Sequence, residues 1–336
     1  MFKDENFKSI IFTVMLTLTL STLFTGCGEE KSSKDVGSDD TVIIGTMNLV
    51  NGDLIAQYEK LYESELGRKV QVVHFNSGKD IISALASNTI DIGEAGTAPA
   101  ALAISNNLDI KIIFVGDVIG AAETLVVKRD SGIAGIKDLA GKKIATPFAS
   151  TAHYSLLNAL KLEGVSESDV KLLDLKPDDI LSAWQRGDID GAYIWHPVLD
   201  RLLEDGKTLT DSAKLAEKGI VTADLIVART SFVKKNPEVV KKFVAIQMKA
   251  NDVILNEPEK AAKEISAVLE VSEKDVAEQI KQFKYLKTDE QIKILDESMA
   301  KTLKSTADFL VEQNSINTAP SLEDFSEKVT SEFIAK

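Results

Sequence analysis

Lys142-Lys-Ile-Ala-Thr-Pro-Phe-Ala-Ser-Thr-Ala-His-Tyr-Ser-Leu-Leu157 reads as a strand that turns at a proline into a capped helix. The run Lys142–Ala145 is strand-like. Ser150 and Thr151 then precede the helical pattern Tyr154, Leu156, Leu157, Leu160. A hydroxyl residue just before such a pattern is an N-cap signal. The helix N-terminus behind it offers unpaired N–H groups and the positive end of a dipole, which attract small anions. A cap alone does no more than close a helix, so its meaning depends on where the rest of the chain puts it.

The same plan occurs about one hundred residues earlier. Ile44-Gly45-Thr46 matches Ile144-Ala145-Thr146 at an offset of 100. Asp80-Ile-Ile-Ser-Ala84, with Ile90-Asp91 beyond it, matches Asp179-Ile-Leu-Ser-Ala183 and Ile189-Asp190 at an offset of 99. Glu123-Thr-Leu-Val-Val-Lys128 matches Asp224-Leu-Ile-Val-Ala-Arg229, with 101 positions between the leading acids. Three matches in order at nearly one offset point to two similar βα units, and the period is too long for a solenoid.

Each unit alternates strands and helices, which argues an α/β fold with parallel sheets. In such sheets ligands lie off the carboxyl ends of the strands, at helix N-termini. Two facing lobes then make a cleft lined by Met47–Asn51, Gly96–Pro99, Phe148–His153 and Trp195–Pro197. The matched strands at 123–128 and 224–229 carry the chain between lobes, with Glu123 and Asp224 flanking the cleft floor. The boundaries expected are 41–122 for the first part of lobe 1, 123–224 for lobe 2, and 225–336 for the return to lobe 1. Within that last part the pattern predicts helices over 237–256, 258–269, 273–283, 290–313 and 322–334. One helix is expected from Asp53 to about Glu65.

Residues 1–26 have the character of an export leader: Lys3 and Lys8, an apolar run from Ile10 to Leu20, then small residues. The run is too short for a comfortable membrane span. Cys27, the one cysteine of the chain, follows Thr25-Gly26 and is the expected lipidation site; it leaves no partner for a disulfide. Residues 27–40 are polar and read as a flexible tether. The net charge of −13, without a basic stretch, excludes nucleic acid as a partner. It also means that any bound anion is held by local groups against the overall field.

Phe148–Leu157 and Ala183-Trp-Gln-Arg-Gly-Asp-Ile-Asp-Gly-Ala-Tyr-Ile-Trp195 resemble the taurine-binding branch of the aliphatic-sulfonate, nitrate and taurine solute-binding proteins of bacterial ABC importers. Asn76-Ser-Gly78 and Ser83-Ala-Leu-Ala-Ser87 carry the likeness further, over about Val42 to Phe333. Thr97-Ala98, the loop Met47–Asn51 and His196 depart from the family pattern. The resemblance implies a two-lobed periplasmic-binding-protein fold of type II that closes on its ligand, a helical C-terminal part, a permease as partner and a lipid anchor. It implies a monomer without cofactor or metal.

The ligand so implied is a small sulfonate, zwitterionic in the case of taurine. The hydroxyls of Ser150, Thr151 and Thr97 at helix N-termini suit a sulfonate, and His153 and Asn48 are further candidates. Glu123 and Asp224 suit an ammonium, and Trp195 suits the short alkyl link. Alkanesulfonates without an amine, or another small anion, remain the alternative. Catalysis finds little support: the chain has no G-x-S-x-G, no H-E-x-x-H and no Cys/His metal spacing. His153 and His196 are the two histidines that the cleft could bring together.

Overall fold

A computed structural model describes residues 40–334. The leader, Cys27 and most of the tether expected from the sequence lie outside the described residues. Lobe 1 begins with β1 (Thr41–Thr46), α1 (Gly52–Tyr58), α2 (Leu61–Glu65), β2 (Lys69–His74), α3 (Gly78–Ala86), β3 (Ile92–Gly96), α4 (Thr97–Ser105) and β4 (Ile110–Ile119). Lobe 2 holds β5 (Glu123–Lys128), β6 (Lys143–Thr146), α5 (Thr151–Leu162), β7 (Lys171–Asp174), α6 (Pro177–Arg186), β8 (Gly191–Trp195), α7 (Val198–Leu203), β9 (Gly206–Asp211) and α8 (Ser212–Ala216). The chain then returns to lobe 1 through β10 (Ala223–Arg229) and α9 (Thr230–Lys235). It continues through α10 (Pro237–Asn256), α11 (Pro258–Leu269), α12 (Glu273–Ile280), β11 (Phe283–Lys284), α13 (Thr288–Lys293), α14 (Met299–Glu312) and α15 (Leu322–Lys328).

The two sheets share one plan. Lobe 1 runs β11-β4-β10-β3-β1-β2 and lobe 2 runs β7-β6-β8-β5-β9. Strands β1, β2 and β3 are parallel, as are β6, β7 and β8. The pairing Ile44↔Ile92 has its counterpart in Ile144↔Gly191, so the sequence offset is a structural one.

The sheets are nevertheless mixed, not parallel as the alternation predicts. β10 runs antiparallel to β3 and β4, and β5 runs antiparallel to β8 and β9. The reason lies in the crossing. Each of these strands arrives from the other lobe and enters its sheet at the cleft side, where the parallel strands end. It therefore points the opposite way. Its first residues sit at the cleft: Glu123 pairs with Trp195, the last residue of β8, and Asp224 pairs with Gly96, the last residue of β3.

Both crossing strands are central and almost wholly buried, which explains their apolar bodies behind one leading acid. The lobe 1 core includes Ile44, Ile92, Phe114, Leu225 and Phe243, all at most 1% exposed. Lobe 2 packs Leu125, Ile144, Leu156 and Tyr193 on one face of its sheet and Ile180, Trp184 and Leu202 on another cluster. Trp184 is core, with its indole N–H donating to Asp205 at 2.7 Å.

Several helix boundaries differ from the sequence pattern. The helix expected from Asp53 breaks at Lys60, whose backbone is left-handed (φ 55°). The pattern over 273–283 ends as helix at Ile280 and gives way to β11, which pairs with the end of β4. The stretch 290–313 includes a π-helical turn, Ile294–Ser298. The last helix ends at Lys328, not at Ile334. Helical periodicity cannot see a strand two residues long, because its partner is remote in sequence.

Candidate functional site

Three helix N-termini converge on a cavity between the lobes. Ser77 caps α3 and accepts from the Asp80 N–H at 3.2 Å. Gly96 stands at the N-cap of α4, and Ser150 caps α5, accepting from the His153 N–H at 3.1 Å. The cap that the sequence marks at Ser150 is therefore present, and such caps contribute about 1 kcal/mol each. Gly78, Lys79, Gly96, Ser150 and Thr151 all line the cavity. The amides in the first turn of each helix have no acceptor within it.

Close approach of the lobes at this point depends on Gly96. A Cβ there would stand 2.5 Å from Thr151 Cγ2, so any side chain would hold the two N-termini apart. The loop that aims α5 is itself strained. Ala149 is left-handed at φ 62°, at a cost of about 1 kcal/mol for a residue with a Cβ. The loop is fixed by Ser150 Oγ donating to the Pro147 carbonyl at 2.6 Å and by the Phe148 N–H donating to Asp174 at 2.8 Å.

Two acids stand beside these N-termini, Glu123 hydrogen-bonded to Thr151 and Asp224 paired with Gly96. Glu123 and Asp224, 4% and 5% exposed, both line the cavity. Thr151 donates its hydroxyl to Glu123 Oε1, and Ser212 donates to Oε2 at 3.4 Å. Burial pushes the Glu123 carboxyl up to about 8; the two hydroxyls pull against it, and neighbouring Asp224 adds to it. Burial likewise raises Asp224 to about 7.

Behind Asp224 stand two further acids that the sequence reading missed. Glu94 accepts from Asn51 Nδ2 at 2.6 Å, and Asp117 is fully buried. Burial and neighbouring acids hold both well above the usual carboxylate range. A lone acid among glycines and apolar residues, as in Ile92-Gly-Glu-Ala-Gly96 and Val115-Gly-Asp-Val118, is the signal that could have found them.

Met47, Leu49, Val50, Ile119 and Phe283 give the cavity wall its apolar part, together with the half-buried Trp195. The space enclosed, mouth included, is about 570 Å³. Among the described residues no group of His, Cys, Asp and Glu side chains is arranged to hold a metal ion.

Of the residues expected from the sequence, Glu123, Ser150, Thr151, Trp195 and Asp224 share this cavity. Asn48 does not. It is exposed and faces a neighbouring cavity with Asn76 and Pro177, because the loop alternates and sends Met47 and Leu49 inward instead. Thr97 opens α4 but is fully buried behind Gly96, and its hydroxyl has no hydrogen-bond partner. His153 lies two residues past Thr151, about 200° round the helix, and so faces away from the cavity. Its ring stacks on Phe148 at 4.3 Å, and burial lowers its pKa to about 4.

The two histidines do not face one another across the cleft, since both belong to lobe 2. His196 has a different role. It lines the cavity and bonds across to the C-terminal part through Nε2, 3.0 Å from Gln282 Oε1, while Nδ1 stands 2.8 Å from Asp200 Oδ1 of its own lobe. Gln279 completes this latch by donating to Asp200 at 2.8 Å. Pro197 lies just before α7 rather than in its first turn.

Two lobes of like sheet topology with a cavity between them, lined by helix N-termini and carboxylates, define a periplasmic-binding-protein fold. The chain belongs to the NMT1/THI5-like family, whose model matches residues 50–261. It is 40% identical over 287 residues to the taurine-binding periplasmic protein of Escherichia coli strain K12, covering 83% of this chain and 88% of that one. Its fold is similar to that of the periplasmic aliphatic sulphonate binding protein SsuA from Escherichia coli. The TM-score is 0.71 at 23% identity, over 87% of this chain and 98% of the other. The desulfurization enzyme DSZB has a similar fold, with a TM-score of 0.64 at 16% identity over 88% of this chain and 97% of that one. The fold therefore serves both binding proteins and an enzyme, and the site must decide between them. Among the described residues no helix is long and apolar enough to cross a membrane.

Proposed function

We propose that this chain is the extracytoplasmic solute-binding component of an ABC importer and that it takes taurine, or a close aminoalkanesulfonate, into the cavity between its lobes. The observation that carries this reading is the lining of the cavity. The first turns of α3, α4 and α5 offer N–H donors to an anion, and Glu123 and Asp224, lining the same cavity, offer carboxylates to a cation. A sulfonate needs donors more than a full counter-charge, and the first-turn amides supply them, the hydroxyls of Ser150 and Thr151 being engaged with Pro147 and Glu123. An ammonium needs carboxylates, and two line the same cavity. A chain of net charge −13 can hold such a ligand because the ligand brings its own cation. The likeness to the Escherichia coli taurine-binding protein supports the same assignment.

In this reading the lobes close on the ligand because only the closed form satisfies both of its ends. Trp195 covers the alkyl link, and the His196–Gln282 bond helps hold the closed form. A permease receives the ligand, and a lipid on Cys27 keeps the monomer at the outer face of the membrane. In this reading the chain acts by binding a solute, as the names of its relatives say of them.

Titration calorimetry of the purified protein with taurine, ethanesulfonate and nitrate tests the assignment. Tight binding of taurine with weak binding of ethanesulfonate is expected. Equal binding of the two would leave the anion donors and remove the ammonium argument. Absence of binding by all three would overturn the reading.

A further inference from the structure

The acids behind Asp224 are more than one ammonium requires. Asp117 is completely buried, and neither of its carboxyl oxygens has a hydrogen-bond partner. Glu94 is 2% exposed; one oxygen accepts from Asn51 and the other is unpartnered. The register of β10 and β4 puts Asp224 directly opposite Asp117, at the roughly 5 Å backbone spacing of an antiparallel pair. A Cβ on Gly116 would lie 3.5 Å from both the Asp224 carbonyl and Glu94 Oε1, so the three acids occupy one small volume. Glu123 acts electrostatically on Asp117 from lobe 2.

The charges acting on these groups are chiefly one another's. Asp53 on α1 bears on Glu94, and Tyr62 on α2 and Tyr285 just past β11 face the same cluster with neutral phenols. Tyr193 on β8 faces Glu123. Lys79 at the start of α3 and His196 after β8 line the cavity but bond to none of the four acids among the described residues. An ionised carboxylate in such surroundings costs several kcal/mol, and adjacent ones repel. With the cavity empty, protons must therefore reside on the cluster, in keeping with the raised pKa of all four.

We propose that Asp117, with Glu94, acts as a positioning group that controls the charge of the Asp224–Glu123 pair, so that the cavity admits a cationic end in exchange for protons and disfavours its neutral isostere. This rests on the reading of the ligand given above. The ammonium enters with its own protons unchanged. Its charge makes ionisation of the cluster cheaper, and the carboxylic protons so freed pass to solvent. A hydroxyl in its place brings no charge and frees none. The inner acids thus add selectivity without needing to touch the ligand.

The test is titration calorimetry near pH 7 in two buffers of low and high ionisation enthalpy, with taurine and with its hydroxyl isostere 2-hydroxyethanesulfonate. About half to one proton released per taurine is expected, and none with the isostere. Asp117→Asn preserves size, and it should lower that release by at least half and reduce the preference for taurine over the isostere about tenfold. Asp117→Glu should restore both in part. A purely structural Asp117 would leave the proton count unchanged in the Asn variant. That result, or taurine binding with the same enthalpy in both buffers, would overturn the proposal; the second measurement needs no variant to fold. Absence of any taurine heat would instead overturn the ligand reading, and this inference with it.

Discussion

Glu123 and Asp224 stand at the starts of matched strands, as the first residue of β5 and the second of β10, and each pairs with the last residue of a neighbouring parallel strand. Their surroundings differ. Glu123 is provided for by its own lobe, since the hydroxyls of Thr151 and Ser212 both reach it. Asp224 has burial as the cause of its raised pKa and carboxyl groups for neighbours. Two positions built on one plan have thus become a satisfied acid and a waiting one. Pseudo-symmetry copies the backbone, but the partners of each side chain come from whatever the other lobe and the C-terminal helices bring.

If that contrast governs binding, Asp224→Asn should have the largest effect. Loss of a buried carboxylate facing an ammonium costs about 3 kcal/mol, or about 100-fold in taurine affinity. Ethanesulfonate affinity should move less than about twofold, since that ligand offers no cation. Equal losses for both ligands in calorimetry would break the contrast at once. Glu123→Gln should cost taurine about tenfold, because the amide oxygen still accepts from Thr151 while the charge is lost. A loss as great as that of Asp224→Asn would mean that the two acids share the cation equally.

Thr151→Val should have a smaller effect, about three- to fivefold. It removes the hydroxyl that favours ionised Glu123 and leaves Ser212 at 3.4 Å. The sharper signature is the pH at which taurine affinity levels off, which should move upward as Glu123 becomes harder to ionise. An unchanged pH profile would count against a role for the Thr151 hydroxyl in charge control.

A further expected effect concerns the ligand-free protein. The folded pKa values of Asp224 and Glu123, about 7 and about 8, lie above those of the unfolded chain. Between about pH 4 and pH 8 the folded state therefore holds more protons than the unfolded one, and stability declines as pH rises through that window. Scanning calorimetry should find the empty protein's Tm lower at pH 8 than at pH 5. Saturating taurine should reduce or reverse that trend. A Tm that rises with pH in the absence of ligand would deny that these acids hold protons.

Much of this arrangement was legible in the chain. The matches at offsets of 99 to 101 announced two like units, and the structure repeats them as sheet pairings. The Ser150 cap and the acids leading β5 and β10 could be read because local patterns carry them: a hydroxyl before a helical periodicity, a charge before an apolar strand. Asn48 was misplaced because a loop has no periodicity from which to tell its inward residues from its outward ones. His153 was misplaced for want of a helix phase, which is set by packing and not by the cap.

Composition, the repeat and the caps by themselves determined that the chain makes two βα lobes with a helix N-terminus at the cleft, since those features depend on contacts a few residues apart. The antiparallel entry of β5 and β10, the closeness of Asp117 and Glu94 to Asp224, and the bond from His196 to Gln282 were decided only by the tertiary structure. Each depends on residues far apart in sequence: 72 positions for Glu123 and Trp195, 86 for His196 and Gln282, 107 for Asp117 and Asp224. No local propensity encodes such a meeting; it follows from cross-strand register and from which lobe the chain enters, and it is there that an acid in an apolar strand becomes part of a binding site rather than a solvated edge.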